Sequence, residues 1–193
     1  MVTWTEALRR AEMVAVCAAL VRRGLVRGRE GNLSCRLSGS DVLLTPAGAD
    51  KGRLSGADLI RCPANGPPQP GVSSEARMHL AVYRDCPHVS AIVHAHPGAV
   101  LSLSALGRVP SPSMLREGEA LVPHIEVVPS LQPGSRELAE ACSRAMRRAS
   151  AVILSEHGVA CGGDDLWQAY GRVEVLELLA TMELARSGSI VPI

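Results

Sequence analysis

Strands and helices interleave along this chain in a way that predicts a three-layer α/β or α+β domain. Two observations carry that reading. Short apolar, β-branched runs of strand length occur at Val42-Leu43-Leu44-Thr45, Ile125-Glu126-Val127-Val128 and Ala151–Leu154. Around them lie longer segments with apolar residues at helical spacing, above all 4–23 and the stretch after Asp164. The 193 residues, 47% hydrophobic and 20% charged, are enough to bury a large core, and the chain is read as one domain over 1–193.

In chain order, Leu8, Met13, Val16, Cys17, Leu20 and Val21 form the apolar stripe of a first helix, with Thr5 as N-cap and Gly24 at its end. Gly31 leads into a strand alternating at Leu33, Cys35 and Leu37. The turn Ser38-Gly39-Ser40-Asp41 makes Val42–Thr45 its hairpin partner. A helical turn at 56–59, a strand near 59–62 and the loop 63–71 follow. Val72-Ser73-Ser74-Glu75 opens a helix to about Asp85, with Glu75 in its first turn. Residues 91–96 are expected as a strand, with a helix after Pro97 to about Leu106. The stretch 114–122 has no clear period. Strands at 125–128 and 151–154 bracket a helix over 135–148. Val159-Ala160-Cys161-Gly162-Gly163 is expected to turn the chain, and Asp164 to cap a long helix burying Leu166, Ala169, Tyr170, Val173, Leu176 and Ala180.

Composition excludes several functions. The formal net charge of +1 gives no pull toward nucleic acid or anionic membrane, and 2% aromatic residues leave no base-stacking platform. No stretch approaches the roughly 18 apolar residues of a membrane span. Glu6, Arg9, Arg10 and Glu12 interrupt the place where a signal peptide would carry its apolar core. Six scattered cysteines without a C-x-x-C pair are expected as reduced thiols in a cytoplasmic protein.

Chemistry concentrates in three places. In Ala91-Ile92-Val93-His94-Ala95-His96-Pro97, strand alternation puts His94 and His96 on one face, where two imidazoles can share a cation. Taken alone, the pair fits two solvent-facing polar residues equally well. His157, at the end of an apolar strand and before Gly158, is either a surface turn residue or a third imidazole. Three histidines would leave an open coordination position, as catalytic zinc requires. Ser73-Ser74-Glu75 at a helix start offers backbone N–H groups and hydroxyls to an anion, or is an ordinary helix cap. The turns Gly31-Asn32 and Thr45-Pro46-Ala47-Gly48 are small enough to approach a phosphate, and no nucleotide-binding motif is present. His79, His88 and His124 read as structural.

In order, the chain carries Gly31-Asn32-Leu33-Ser34, Leu44-Thr45-Pro46-Ala47-Gly48, Ser73-Ser74-Glu75, His94-Ala95-His96-Pro97, Glu156-His157-Gly158 and a helix with Glu174-Val175-Leu176-Glu177. This series resembles the class II aldolase/adducin family, closest to its fuculose-1-phosphate aldolase branch, over about residues 5–185. The resemblance implies an α/β, three-layer domain with a central mixed, largely antiparallel sheet and helices on both sides. It further implies a homotetramer with active sites at subunit interfaces. By resemblance, His94, His96 and His157 hold Zn²⁺, with Mn²⁺ or Co²⁺ as substitutes, and Glu75 is the acid/base residue. Asn32, Gly48, Ser73 and Ser74 line the phosphate pocket, joined by Thr45 and Arg29.

The implied reaction is reversible cleavage of a ketose 1-phosphate of fuculose or deoxyribulose type, giving dihydroxyacetone phosphate and an aldehyde through an enediolate on the metal. Same-family decarboxylation, dehydration or 4-epimerisation of sugar phosphates, and a non-catalytic adducin-like module, are the alternatives. One departure bears on the choice. The aldolases carry a tyrosine that protonates the leaving aldehyde's oxygen, and this sequence has Met114 at the nearest matching position, with Glu117 as a substitute donor. The sequence also ends at Ile193, short of a tail that supplies a further residue in longer relatives.

Overall fold

The computed structural model describes residues 6–37 and 40–188. Its elements are α1 (Glu6–Arg22), β1 (Asn32–Arg36), β2 (Asp41–Leu44), β3 (Ile60–Pro63), α2 (Ala76–Asp85) and β4 (Ala91–Ala95). The second half adds α3 (Gly98–Ala105), α4 (Arg116–Leu121), β5 (Ile125–Val128), α5 (Arg136–Met146), β6 (Ala151–Leu154), β7 (Gly158–Gly163) and α6 (Leu166–Arg186). Two 3-10 turns, Gly56–Asp58 and Pro112–Met114, complete it. The seven strands form one sheet in the order β3-β2-β1-β4-β7-β6-β5. Every pairing is antiparallel except β5 with β6, so the sheet is mixed and largely antiparallel.

Strand alternation divides the core in two. Leu33, Cys35, Val93 and Ile153 pack with Met13, Val16 and Leu20 of α1, Val100 and Leu103 of α3, and Val173, Leu176 and Leu179 of α6. Val42, Leu44, Ile92, Val152 and Leu154 face the other way, onto Met78 and Val82 of α2 and Leu138, Cys142 and Met146 of α5. Helices thus cover both faces. Among the described residues no helix is long and apolar enough to cross a membrane. All six cysteines are free and buried, and burial pushes the thiols of Cys17, Cys35, Cys142 and Cys161 up to about 12.

Several elements depart from expectation. The turn expected at 159–163 is instead β7, a fully buried inner strand between β4 and β6. Its glycines serve close approach: a Cβ on Gly163 would lie 2.7 Å from Ala169 N, and one on Gly162 would lie 3.1 Å from Met146 Sδ. Asp165, not Asp164, caps α6, its carboxylate accepting from Gln168 N at 2.7 Å. Leu8 is 43% exposed and leaves the α1 stripe. The ambiguous stretch 114–122 holds the end of a 3-10 turn and α4. The Thr5 cap and residues 38–39 of the expected hairpin turn lie outside the described residues.

Candidate active site

The site begins with strand register. His94 lies opposite Asn32 of β1 and Ala160 of β7, on the same face of β4 as Ile92 and therefore beneath α2. His94 is wholly buried, and its Nδ1–H donates to Val159 O at 2.9 Å. β4 ends at Ala95, so His96 is not on the strand as expected. It is held instead by its backbone N–H on Leu25 O at 3.0 Å. Its ring still comes within 4.9 Å of the His94 ring, centroid to centroid. His157 sits in the hairpin turn between β6 and β7, where the Leu154↔Gly158 pair closes three residues. Glu156 takes the left-handed conformation there, with φ 60, as a tight three-residue turn favours.

The three imidazoles converge, with one nitrogen of each within 4.8 Å of the others. Because the Nδ1–H of His94 donates to Val159 O, the Nε2 lone pair is the one left to hold a cation. That lone pair faces His96 Nε2 at 3.0 Å and Glu75 Oε2 at 2.9 Å. Three electron-rich atoms meeting in a buried place call for a cation between them. Three neutral imidazoles are a donor set suited to zinc and to neighbouring divalent transition metals. Burial lowers His157, and burial followed by the neighbouring rings lowers His96 to about 3, so both are neutral and ready to ligate at neutral pH. Glu30, not foreseen from the sequence, places Oε2 3.5 Å from His96 Nδ1, the usual arrangement that turns the other ring nitrogen toward a metal.

Glu75 was expected in the first turn of its helix, but it stands one position earlier as the N-cap of α2 and makes no side-chain cap. Its carboxylate turns instead to the histidines and to Asn32, whose Nδ2 donates to Oε2 at 3.0 Å. Glu75 Oε1 is buried with no hydrogen-bond partner among the described residues, the His157 Nε2 lying 3.4 Å away. Burial by itself pushes the carboxyl up. Positive charge held at the His94 and then the His157 nitrogens, together with the Asn32 N–H, more than reverses this and holds it well below the usual carboxylate range.

Beside this cluster lies a cavity of about 230 Å³. Arg29, Asn32, Gly48, Ser73, Ser74 and Glu75 all line it, together with His96 and His157. The Ser73 hydroxyl accepts from Glu75 N at 3.3 Å, which leaves its own proton to donate. Gly134 lets the following loop close on this turn, since a Cβ there would lie 2.8 Å from Ser74 O. Thr45 is a different case from its neighbours: it is fully buried, its Oγ1 accepts from Leu33 N at 3.1 Å, and it does not line the cavity. Lys51 lines the cavity and escaped the sequence reading because it belongs to no motif. It is 2% exposed, and its ammonium donates to Arg29 O at 3.2 Å and Ala49 O at 2.9 Å, tying two cavity walls together. Burial pulls its pKa down from the ordinary lysine value.

His79 is structural in that it is no ligand, yet it is wholly buried within a polar chain. Its Nε2 lies 2.5 Å from Asn32 Oδ1 and its Nδ1 2.6 Å from Ser34 Oγ, which in turn lies 2.7 Å from the Tyr83 hydroxyl. His88 and His124 are exposed. Burial, the largest cause, lowers His79 from 6.5 to about 3. The unfolded chain therefore binds a proton between those limits that the folded chain refuses, so stability is full above pH 6.5 and falls with acid. The expected slope from this ring is about 1.4 kcal/mol per pH unit. Urea unfolding at pH 6 and pH 5 should show it, and His79→Gln should flatten it by about one proton; an equal slope in the variant would refute the assignment.

Met114 packs partly buried against the α1/α3/α6 core, and Glu117 is exposed on α4. Neither lines the cavity. Glu177 of the last quoted motif has a structural task. Pro97 cannot cap α3 with its side chain, and Glu177 accepts from Ala99 N at 3.0 Å and Val100 N at 3.1 Å instead.

Fold and site together define an α/β protein with a three-histidine cluster fit for a divalent metal beside an anion-sized cavity. The chain belongs to the Class II Aldolase and Adducin N-terminal domain family, which residues 11–184 match. It is 33% identical over 193 residues to 3-oxo-tetronate 4-phosphate decarboxylase of Haemophilus influenzae, covering 95% of this chain and 90% of that one. It is 31% identical over 195 residues to methylthioribulose-1-phosphate dehydratase of Acidiphilium cryptum, covering 93% and 92%. The crystal structure of L-fuculose-1-phosphate aldolase from Thermus thermophilus superposes with a TM-score of 0.86 at 30% identity, covering 95% of this chain and 98% of that one. These relatives are enzymes of three different reactions.

Proposed function

We propose that this protein is a divalent-metal-dependent carbon–carbon lyase, with zinc as the metal, that cleaves a ketose 1-phosphate to dihydroxyacetone phosphate and an aldehyde. The observation that carries the reading is Glu75, whose carboxylate lies between His94 and His157 on the floor of a cavity walled by Gly48, Ser73 and Ser74. A cation on His94, His96 and His157 would supply Lewis acidity where negative charge develops on the substrate oxygens. The chain's own residues would do the rest. Ser73 and Ser74, with the backbone around Gly48, would bind the phosphate, and the charges of Arg29 and Lys51 would strengthen that hold. A phosphate so anchored orients the substrate carbons toward Glu75. In the condensation direction Glu75 Oε1 would take the proton α to the carbonyl, the C–H electron pair passing into that carbonyl. In cleavage it would return the proton to the same carbon.

A second reading, decarboxylation of a phosphorylated 3-oxo sugar acid, is favoured by Met114. Aldol cleavage needs a group to handle the proton of the breaking C–O–H, and residues 112–117 bring none into the cavity. Loss of CO₂ needs no such group: the electron pair of the breaking C–C bond would pass into the adjacent carbonyl, and the carbon would then take a proton that Glu75 relays from water. In a homotetramer a neighbouring copy would supply the missing donor, and the exposed Leu106, Val109 and Trp167 suit burial between copies. Six buried thiols suit a reducing compartment such as the cytoplasm.

The test is a substrate panel on zinc-loaded protein. Dihydroxyacetone phosphate released from a ketose 1-phosphate supports the first reading. CO₂ from 3-oxo-tetronate 4-phosphates alone would replace it with the second. Neither product, in a protein purified without chelator and holding no divalent metal, would leave the fold as a non-catalytic module.

A further inference from the structure

The buried chain Glu75–Asn32–His79–Ser34–Tyr83 crosses from the site floor into the α2 core. We propose that His79 is a positioning residue: it locks the Asn32 amide so that its N–H, not its carbonyl, meets Glu75, and thereby leaves Oε1 as the oxygen that exchanges the proton with substrate. This rests on the reading above that Glu75 is the acid/base group.

An asparagine amide has two faces of nearly equal shape and opposite polarity. With Oδ1 toward Glu75 it would set a carbonyl dipole against a carboxylate about 3 Å away, in a buried place. With Nδ2 toward Glu75 it donates, as the 3.0 Å contact has it. Nothing in Asn32 itself chooses; the partner of Oδ1 does. That partner is His79 Nε2 at 2.5 Å. A neutral imidazole carries one proton, so donation from Nε2 requires Nδ1 to accept, and Ser34 Oγ at 2.6 Å is the group placed to donate there. The Ser34 hydroxyl, having spent its proton, accepts from the Tyr83 hydroxyl at 2.7 Å. Tyr83 is fully wrapped and burial pushes its pKa up, so it stays a donor. All four bonds then run one way and end on Glu75 Oε2.

The consequence falls on the carboxylate. Oε2 receives the Asn32 N–H and faces the His94 ring. Oε1 has no hydrogen-bond partner among the described residues, and Glu75 and His157 both line the cavity. Sequence spacing makes the device compact, because the N-cap Glu75 and the α2 residues His79 and Tyr83 lie four residues apart, while Asn32 and Ser34 share one face of β1.

Two measurements on the full-length, zinc-loaded protein test this. In nitrogen-15 histidine-labelled protein, the His79 ring should carry its proton on Nε2 with Nδ1 bare; a proton on Nδ1 overturns the proposal. In kinetics, His79→Leu should lose about 10- to 100-fold in kcat with KM and zinc content within about two-fold of the parent, since the phosphate and metal groups are untouched. His79→Gln, whose amide can still donate to Asn32 Oδ1, should recover to within about three-fold of the parent kcat. A merely structural role predicts two equally impaired variants, so equal impairment, or wild-type turnover by His79→Leu, refutes the proposal. Should His79→Leu not fold, Ser34→Ala takes its place in the ring-proton measurement: with the donor to Nδ1 gone, a shift of the His79 proton toward Nδ1 supports the chain as drawn, and an unmoved ring refutes it. If Glu75→Gln turns over like the parent, the functional reading fails, and the ring-proton result still decides the amide orientation separately.

Discussion

Replacing Glu75 by glutamine should cut turnover by about 10²–10⁴-fold in a protein that stays folded and keeps its metal. Glutamine has the same shape, can accept from Asn32 Nδ2 through its carbonyl, and leaves all three histidines in place. What it removes is the basic lone pair. Burial pushes the Glu75 carboxyl up, but positive charge at the His94 and His157 nitrogens and the Asn32 N–H hold it down. A group so arranged is a weak base, so under the proposed function substrate would have to draw Glu75 away from the His94 ring. Steady-state kcat beside metal content by atomic spectroscopy checks this. Unchanged turnover at full metal loading would remove Glu75 from the mechanism.

The second large effect is expected at Gly158, a residue with no functional group. A Cβ there would lie 2.5 Å from Ala95 O, 2.7 Å from His96 Cδ2 and 3.1 Å from His94 Cε1. The carbonyl cannot retreat without disturbing the β4–β7 ladder, where Ala95 pairs with Val159 and His94 with Ala160. The rings cannot retreat without spreading the three-histidine cluster. Gly158→Ala should therefore weaken zinc binding by about 100-fold and destabilise the fold by about 1–3 kcal/mol. His94→Ala, which deletes a ligand without adding volume, should lose the metal with no clash to relieve. Competition against a chelator of known affinity, with thermal unfolding alongside, reads both. Parental zinc affinity in Gly158→Ala would show that the turn yields and that the glycine is not what seats the rings.

Gly158 also illustrates what was legible in advance and what was not. As a turn residue beside His157 it was visible in the sequence, and the histidines themselves were candidates from spacing alone. That β7 is a strand was not visible, because Gly162 and Gly163 read as punctuation wherever local pattern is the only guide. Their reason is long-range: they admit Met146, Val89 and the start of α6 against the sheet. Thr45 and Asn32 looked alike as small polar residues in a phosphate-type turn. The register of β1 against β4 put Asn32 beside His94, while the Leu33 N–H took the Thr45 hydroxyl. Lys51 and Glu30 had no signal at all, since a lone charged residue in a loop is ordinarily solvated and only burial against the cavity gives it meaning.

By itself the sequence determined the α/β class, the helical stripe of α6, the strands at 125–128 and 151–154, and the ordered motifs that identify the family. Those depend on periodicity and local turn chemistry, which a chain carries within a few residues. Tertiary structure alone decided that His96 is held by Leu25 rather than by a strand, that Met114 belongs to the core, and that His79 stands behind Asn32 and Glu75. A hydrogen bond between side chains 43 residues apart is set by sheet register and helix docking, and no local pattern records it.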